Sequence, residues 1–210
     1  NSVWDGARVS LFGARNEVVS FALILEAPAR PADEVAVSLA TLIGPGKTTI
    51  TAAPEGAQLY DFRKRNIELF FVRYLQILGI STDLFFHGYG YDERHLPERC
   101  RRPHDPQTGE AWGTWDDRPC ADSFYPEIAI PIELHPTFRI KEGRSQTIWC
   151  DVTIPRSARP GRYEGTLTVS ESDVVVWRVP VVLDVLGFAL PDLPTARTML
   201  FLSAQNVSDR

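Results

Sequence analysis

The fold class is clearest at residues 175–185, which read VVWRVPVVLDV. Apolar side chains fall at every second position from Val175 to Val185, which is the period of a β-strand with one buried face. Pro180 interrupts the run and has no amide hydrogen to donate, so it predicts a sheet edge or a bulge at that point. A strand with one buried face needs partner strands to cover it, and the remaining sequence contains candidates.

Eight further segments have the composition of β-strands. They are rich in branched and aromatic residues and are separated by turns such as Gly44-Pro45-Gly46 and Pro160-Gly161. The segments are 8–12, 17–25, 35–39, 48–52, 67–78, 138–140, 146–154 and 163–169. Nine strands joined by turns, without a convincing helix, predict an all-β, antiparallel β-sandwich of the immunoglobulin-like type.

Length, charge and hydropathy exclude several classes of partner. A chain of 210 residues forms one large domain or two small ones. The net charge of −5 argues against a nucleic-acid partner, which would favour a basic face. No apolar run reaches the roughly 18 residues of a transmembrane helix, so no membrane partner is expected. No cofactor is expected, because Thr41 stands where the phosphate-binding motif would need a glycine before Gly46-Lys47-Thr48.

The strand pattern stops between residues 79 and 125. Irregular stretches of this length are uncommon in compact domains and usually serve a function or are disordered. Aromatic rings are dense here, and a flat ring can cover the apolar face of a sugar. The candidate sugar-binding residues are Trp112, Trp115, Tyr89 and Tyr91. The alternative is that these rings fasten the loop onto the sandwich or onto a following domain. Trp177 lies in a strand instead and is expected to be a packing residue.

Three cysteines allow at most one internal disulfide. Cys100 and Cys120 lie at the two ends of a polar part of the loop and are the candidate pair, which would require an oxidising compartment. A secreted or periplasmic location is favoured over a cytoplasmic one. Cys150 lies in a strand and is expected to be a small buried residue. A zinc site is disfavoured because the loop has no paired Cys-x-x-Cys spacing, so no metal is expected.

Catalytic chemistry finds little support in these residues. Glycosidases need two carboxylates that face each other about 5–9.5 Å apart. The close pairs here, Asp92-Glu93 and Asp116-Asp117, are neighbours on an extended chain, so their side chains point to opposite sides. A Gly-x-Ser-x-Gly nucleophile motif is also absent from the sequence. The sequence therefore assigns no catalytic residue.

Five motifs occur in an order that is typical of one family. They are ARNEVVSF at 14–21, SFYPEIAIP at 123–131, SQTIWCDV at 145–152, PGRYEG at 160–165 and FALP at 188–191. This set resembles the N-terminal domain of glycoside hydrolase family 123 and of the related domain of unknown function 4091. The resemblance covers most of residues 8–191. Two departures are Glu127, where the second motif usually has Asp, and a loop at 79–125 that is longer than expected.

The resemblance implies a β-sandwich over residues 1–191, followed at 192–210 by a linker and the first strand of a (β/α)8 barrel. In this family the acidic catalytic pair lies in the barrel, so the implied function is that of a non-catalytic accessory domain of a glycoside hydrolase. The implied partners are carbohydrate and the downstream barrel of the same polypeptide. Two alternatives stay open, an independent carbohydrate-binding module and a structural or interaction sandwich of a secreted protein.

Overall fold

The computed structural model describes residues 3–53, 57–59, 65–78, 105–108 and 121–193. Within them the chain forms eleven β-strands and two short 3-10 turns, Pro45–Lys47 and Ile132–Leu134, and no α-helix. The strands are β1 Val9–Arg15, β2 Glu17–Ala27, β3 Ala32–Ser38, β4 Thr41–Ile43, β5 Thr49–Thr51, β6 Ile67–Gln76, β7 Phe124–Pro131, β8 Phe138–Ile140, β9 Arg144–Ile154, β10 Gly161–Glu171 and β11 Val174–Ala189. They form two sheets, which confirms the predicted all-β sandwich.

The first sheet has seven strands in the order β1-β11-β10-β3-β8, with β4 paired to β10 and β5 paired to β4. Its longest register joins β10 to β11, from Gly161 opposite Val185 to Glu171 opposite Val174. Strand β1 pairs with β11 in parallel, whereas β10 pairs antiparallel with β11, β3 and β4. Parallel neighbours need a long connection between them, and here nearly the whole domain separates the first strand from the last.

The second sheet has four strands in the order β2-β9-β6-β7. The sequence pattern missed β7, because its prolines interrupt the alternation and its first residues, Phe124 and Tyr125, were assigned to the long loop. They pair instead with Gln76 and Leu75 of β6. Among the described strands β7 lies at the end of the sheet order, where proline is tolerated because one side of the strand makes no ladder hydrogen bonds.

Pro180 lies at a local edge of the first sheet, as the sequence predicted. The residue pairs with Thr166 of β10 on one side. On the other side, the pairing of β11 with β1 begins one residue later, at Val181 beside Val9. The missing amide hydrogen therefore falls where β11 extends beyond β1. Its position outside the β1 ladder explains how a central strand accommodates a proline.

Trp177 departs from its expected role as a packing residue. It stands opposite the buried Val169, yet 67% of it is exposed. The alternation of the sequence correctly gives the face of the strand on which a side chain lies. The alternation does not show how far along the strand other parts of the protein cover that face.

The chain divides into two compact units, each with its own core. The first comprises the described residues of 3–21, 34–68 and 150–193, and its most buried side chains include Leu42, Ile50, Ile154, Tyr163, Leu167 and Leu183. The second comprises the described residues of 22–33 and 69–149, and it buries Leu69, Val72, Phe138, Ile140 and Ile148. The predicted boundary at residue 191 stays a prediction, because residues 194–210 lie outside the described ranges.

Candidate functional site: the clamp on the exit strand

The tight connection between β1 and β2 consists of a single residue, Asn16. Its φ is +66°, a left-handed conformation that asparagine adopts more readily than most residues. The Glu17 carboxylate accepts a hydrogen bond of 2.6 Å from the Ala14 amide, and the Asn16 amide donates to the Ile154 carbonyl at 2.8 Å. These bonds fix the turn, so the Arg15-Asn16-Glu17 segment of the ARNEVVSF motif is a structural element at the start of β2.

The side chain of Asn16 binds the segment that leaves the last strand. Its Nδ2 donates to the carbonyl oxygens of Leu190 and Pro191 at 3.1 and 3.4 Å, and to Oδ1 of Asp192 at 3.1 Å. The Leu190 amide donates in turn to the Arg15 carbonyl at 2.9 Å. Backbone and side-chain bonds from one turn therefore fix three consecutive exit residues.

Two arginines complete this arrangement. Nη1 of Arg156 donates to Oδ1 of Asp192 at 2.8 Å and to the Leu190 carbonyl at 3.4 Å. The guanidinium of Arg15 makes longer bonds of 3.5 Å to the carbonyls of Arg156 and Gly187. Its Nε is buried and has no hydrogen-bond partner among the described residues. We refer to Arg15, Asn16, Arg156 and Asp192 together as the exit clamp.

The clamp is a network of individually modest interactions. Arg156 and Asp192 are both largely exposed, and such surface ion pairs typically contribute less than about 1 kcal/mol. A neutral hydrogen bond such as that from Asn16 contributes about 1 kcal/mol net. The clamp therefore adds little to global stability compared with the core. Its main consequence is directional, because it sets where the chain leaves the sandwich.

The PGRYEG motif supports the fold from inside the first unit. Tyr163 is fully buried, and its hydroxyl accepts a hydrogen bond of 3.0 Å from the Arg159 amide. The same hydroxyl lies 3.0 Å from Oγ1 of Thr48. Gly44 lies against the ring so closely that a Cβ at that position would be 2.3 Å from a ring carbon. The motif therefore serves packing and turn geometry.

The SQTIWCDV motif is also structural. Nε2 of the buried Gln146 donates to the Val72 carbonyl at 2.7 Å. The hydroxyl of Ser20 donates to the Asp151 carboxylate at 2.5 Å. Burial raises the pKa of the Cys150 thiol to about 12, and the Asp151 carboxylate adds to this shift. Because the thiolate is the reactive form, Cys150 is inert at neutral pH, as expected for a buried structural cysteine.

The sequence-predicted site residues lie outside the described part of the chain. They are Trp112, Trp115, Tyr89 and Tyr91, and the same holds for the candidate disulfide pair Cys100 and Cys120. Phe124 is a described member of the same aromatic-rich region. It is half exposed on β7, and the Arg144 guanidinium lies 5.7 Å from its ring centroid, within the range of a cation–π contact.

An exposed apolar surface beside the clamp was not identified from the sequence. Phe12 on β1 is 69% exposed, and Phe188 at the end of β11 is 57% exposed. Phe12 pairs with Asp184 in the parallel ladder, and Arg15 pairs with Ala189 three residues further along β1. In the sequence, Phe12 alternates with Leu11, so the two side chains are expected on opposite faces of β1. Only the structure shows that Leu11 is the buried residue and Phe12 the exposed one.

The described residues contain no group of three or more His, Cys, Asp or Glu side chains that could hold a metal ion. In the same ranges no helix is long and apolar enough to cross a membrane. The side chains of the exit clamp bind backbone carbonyl groups, and the exposed phenylalanines offer apolar contact area. The exit clamp and the apolar surface beside it are the candidate functional site.

Comparison with known proteins agrees with these features. The family model of the glycoside hydrolase 123 N-terminal domain matches residues 5–171. Among solved structures, the chain is similar to a family 123 glycoside hydrolase from Clostridium perfringens that was analysed for glycolipid glycan hydrolysis. The TM-score is 0.55 at 14% identity, with 88% of this chain and 24% of that chain covered.

The chain therefore spans about a quarter of the length of that enzyme. A search of curated proteins gave no significant match. The family match covers most of the chain, and it agrees with the two-sheet fold described above. This chain belongs to the glycoside hydrolase 123 N-terminal domain family.

Proposed function

We propose that this chain is the non-catalytic N-terminal accessory domain of a glycoside hydrolase and that it packs on a (β/α)8 catalytic barrel of the same polypeptide. One observation carries the proposal. All five motifs that resemble the family lie in the described residues, and their best-defined contacts are strand pairing, core packing and backbone hydrogen bonds. Residues of this kind position a domain, and under this proposal the catalytic groups lie in another part of the protein.

The exit clamp supports the mechanical side of this role. A domain that positions another one needs a defined direction at the point of connection, because a flexible linker allows many relative orientations. Asn16 and Arg156 hold Leu190 and Asp192 against the β1–β2 turn. The polypeptide that follows the sandwich therefore starts from a fixed position.

Catalysis is tested in the full-length protein with substitutions at two locations. Replacement of the acidic pair in the downstream barrel should lower hydrolysis by on the order of a thousandfold. The matched variants Asp92→Asn and Asp116→Asn, which change carboxylates of this chain, should lower it by less than about tenfold. The proposal is wrong if the variants of this chain abolish hydrolysis while the downstream variants retain it. Glycolipid glycans, the substrates named for the Clostridium perfringens enzyme, are the first glycans to test.

The aromatic loop has a role of its own within this proposal. We infer that residues 79–125 contribute to the rim of the substrate cleft, with Trp112 and Trp115 as the sugar-contacting rings. Loss of a contact that binds substrate and transition state equally raises KM and leaves kcat unchanged. Trp112→Ala and Trp115→Ala in the full-length protein should show this pattern, and Trp4→Ala, which removes another exposed tryptophan, is the control. A fall in kcat at constant KM would contradict a rim contact.

A carbohydrate-binding module is the second candidate function. The observation in its favour is the exposed indole of Trp177, a ring that could cover a sugar face. Titration of a glycan panel against the full-length protein should then show saturable binding in catalytically inactive variants. That binding should disappear in Trp177→Ala, or in Trp112→Ala and Trp115→Ala. Binding unchanged in all three variants would remove this candidate.

A further inference from the structure

An apolar surface lies directly beside the exit clamp. It is formed by Phe12 of β1 and by Leu186 and Phe188 of β11, and we call these three residues the exit patch. All three are exposed, and the two phenylalanines are among the more exposed apolar side chains of the described residues. Exposed apolar side chains that gather at one end of a strand pair are typical of a contact site.

The three residues lie at the same end of the β1–β11 strand pair. Phe12 stands beside Asp184 in the parallel ladder between β1 and β11. Leu186 lies two residues further along β11 and is exposed, as Asp184 is. The parallel register shifts after Gly13 beside Val185, so that Arg15 stands beside Ala189, and Leu186 and Phe188 lie in the irregular segment of β11 between these two pairs. Phe188 follows two residues later, one residue before the partner of Arg15.

Charged side chains border the exit patch. Nε of Arg162 lies 3.2 Å from the Asp184 carboxylate, and Arg156 pairs with Asp192 on the clamp side. An apolar centre with aromatic residues and a polar border that contains arginine is the usual composition of a protein–protein interface. The patch therefore has the chemistry of a surface that receives another folded surface.

The occupant follows from the position of the clamp. The chain leaves the sandwich at Leu190, whose amide is bonded to Arg15, so whatever follows begins within a few residues of Phe188. The similar glycoside hydrolase is about four times as long as the region matched here. A folded domain tethered at that point has an effective concentration in the millimolar range at the patch, which favours it over a free partner.

We propose that the exit patch is the surface on which the domain following residue 193 of the same polypeptide docks. This inference rests on the proposed function and deepens it, because it assigns one face of the sandwich to the packing. Phe12 and Phe188 insert into that domain, and the exit clamp holds its connection close enough for them to do so. Desolvation of the two rings is the main source of contact energy.

Thiol labelling in the full-length protein tests the proposal. A cysteine is introduced by Phe12→Cys or, in a second variant, by Phe188→Cys, with Cys100 and Cys120 replaced by serine. Val174→Cys is the matched control, because Val174 is 65% exposed and lies about 14 residues, or about 46 Å, along β11 from Phe188. Labelling by a maleimide is measured in the native protein and divided by the rate in denaturant. Circular dichroism checks that each variant is folded.

At the exit patch the introduced cysteine should react at least tenfold more slowly than the one at position 174, although the two positions are almost equally exposed in this domain. Equal rates at all three positions would overturn the proposal. A further variant, Ile24→Cys, distinguishes docking by another face from the absence of docking, because Ile24 is 61% exposed on β2. Slow labelling at position 24 or 174 alone would mean that the domain docks by another face and that the proposed function stands. Fast labelling at every position would mean that the domain does not pack on its neighbour.

Discussion

The side-chain amide of Asn16 donates a hydrogen bond to the carbonyl oxygen of Leu190, a residue 174 positions further along the chain. Two motifs from opposite ends of the domain are thereby in direct contact. Asn16 is suited to this contact for two reasons, since its backbone adopts a positive φ and its short amide reaches the exit segment. The same residue makes the turn and holds the exit.

Substitution of Asn16 should separate these two roles. Asn16→Gly keeps the left-handed backbone and removes the side-chain bonds, so we expect a loss of about 1 kcal/mol in the free energy of unfolding. Asn16→Ala should cost a further 1 kcal/mol or so, because alanine is strained at positive φ. Urea denaturation measures both values. Equal stabilities of the two variants would contradict the backbone part of the argument.

Hydrogen exchange gives a local readout of the clamp. The Leu190 amide is bonded to the Arg15 carbonyl at the edge of the structure. Asn16→Asp replaces a donor by a carboxylate next to Asp192, so we expect faster exchange at Leu190 than in Asn16→Gly, with exchange at the core residue Leu183 unchanged. Slower exchange at Leu190 in Asn16→Asp than in Asn16→Gly would show that the side-chain amide of Asn16 does not hold residues 190–192.

Tyr163→Phe should destabilise the protein by about 1–2 kcal/mol. The ring is kept, but the Arg159 amide loses its acceptor and Thr48 loses one of its hydrogen-bond partners in a partly buried site. The matched control is Thr48→Ser, which keeps the hydroxyl that faces Tyr163 and should therefore have the smaller effect. Urea denaturation compares the two variants. A change below about 0.3 kcal/mol for Tyr163→Phe would contradict a structural role for the hydroxyl.

Two glycine substitutions form a matched pair. A Cβ at Gly165 would lie 2.3 Å from the Thr41 carbonyl oxygen and 2.7 Å from Cδ2 of Leu42. A Cβ at Gly187 would meet nothing within 4 Å among the described residues. We therefore expect Gly165→Ala to cost about 3 kcal/mol and Gly187→Ala to change stability by less than about 1 kcal/mol. Thermal or urea unfolding of both variants tests the difference.

Cys150 should make the stability of the protein depend on alkaline pH. Burial raises the pKa of this thiol from an ordinary value of 9.0 to about 12, so the folded state disfavours the thiolate. Below pH 9 both states hold the proton and the stabilisation is complete, and it is lost as the pH rises from about 9 towards 12. At about pH 10.5 the loss should be about 2 kcal/mol relative to about pH 8.5. In Cys150→Ala this part of the pH dependence should be absent, and its persistence there would assign it to other groups.

The sequence predicted most of the strands because their burial is local and periodic. Phe138–Ile140 agrees at both ends, and Gln146–Ile154 lies within β9. Strand β7 was missed because Pro126 and Pro131 break the alternation, and only pairing with β6 shows that the backbone is extended. The short strand Thr41–Ile43 was missed because three residues carry no periodicity.

The candidate site was harder to predict than the fold. The sequence identified Arg15, Asn16 and Glu17 through the ARNEVVSF motif. It did not show that Asn16 contacts Leu190, because this contact depends on which strands pair. The exit patch was missed for the same reason, since Phe12 and Phe188 come to the same end of one strand pair only through the pairing of β1 with β11.

That parallel pairing also constrains when the domain can form. Strand β1 is synthesised before the other strands of this domain, but its partner β11 ends at Ala189. Strand β1 therefore stays without its hydrogen-bonded partner strand until almost the entire domain has been synthesised. Contacts of such large sequence separation form slowly, so the nascent chain carries an open strand throughout its synthesis, and chaperone protection at this stage would matter most for residues 9–15.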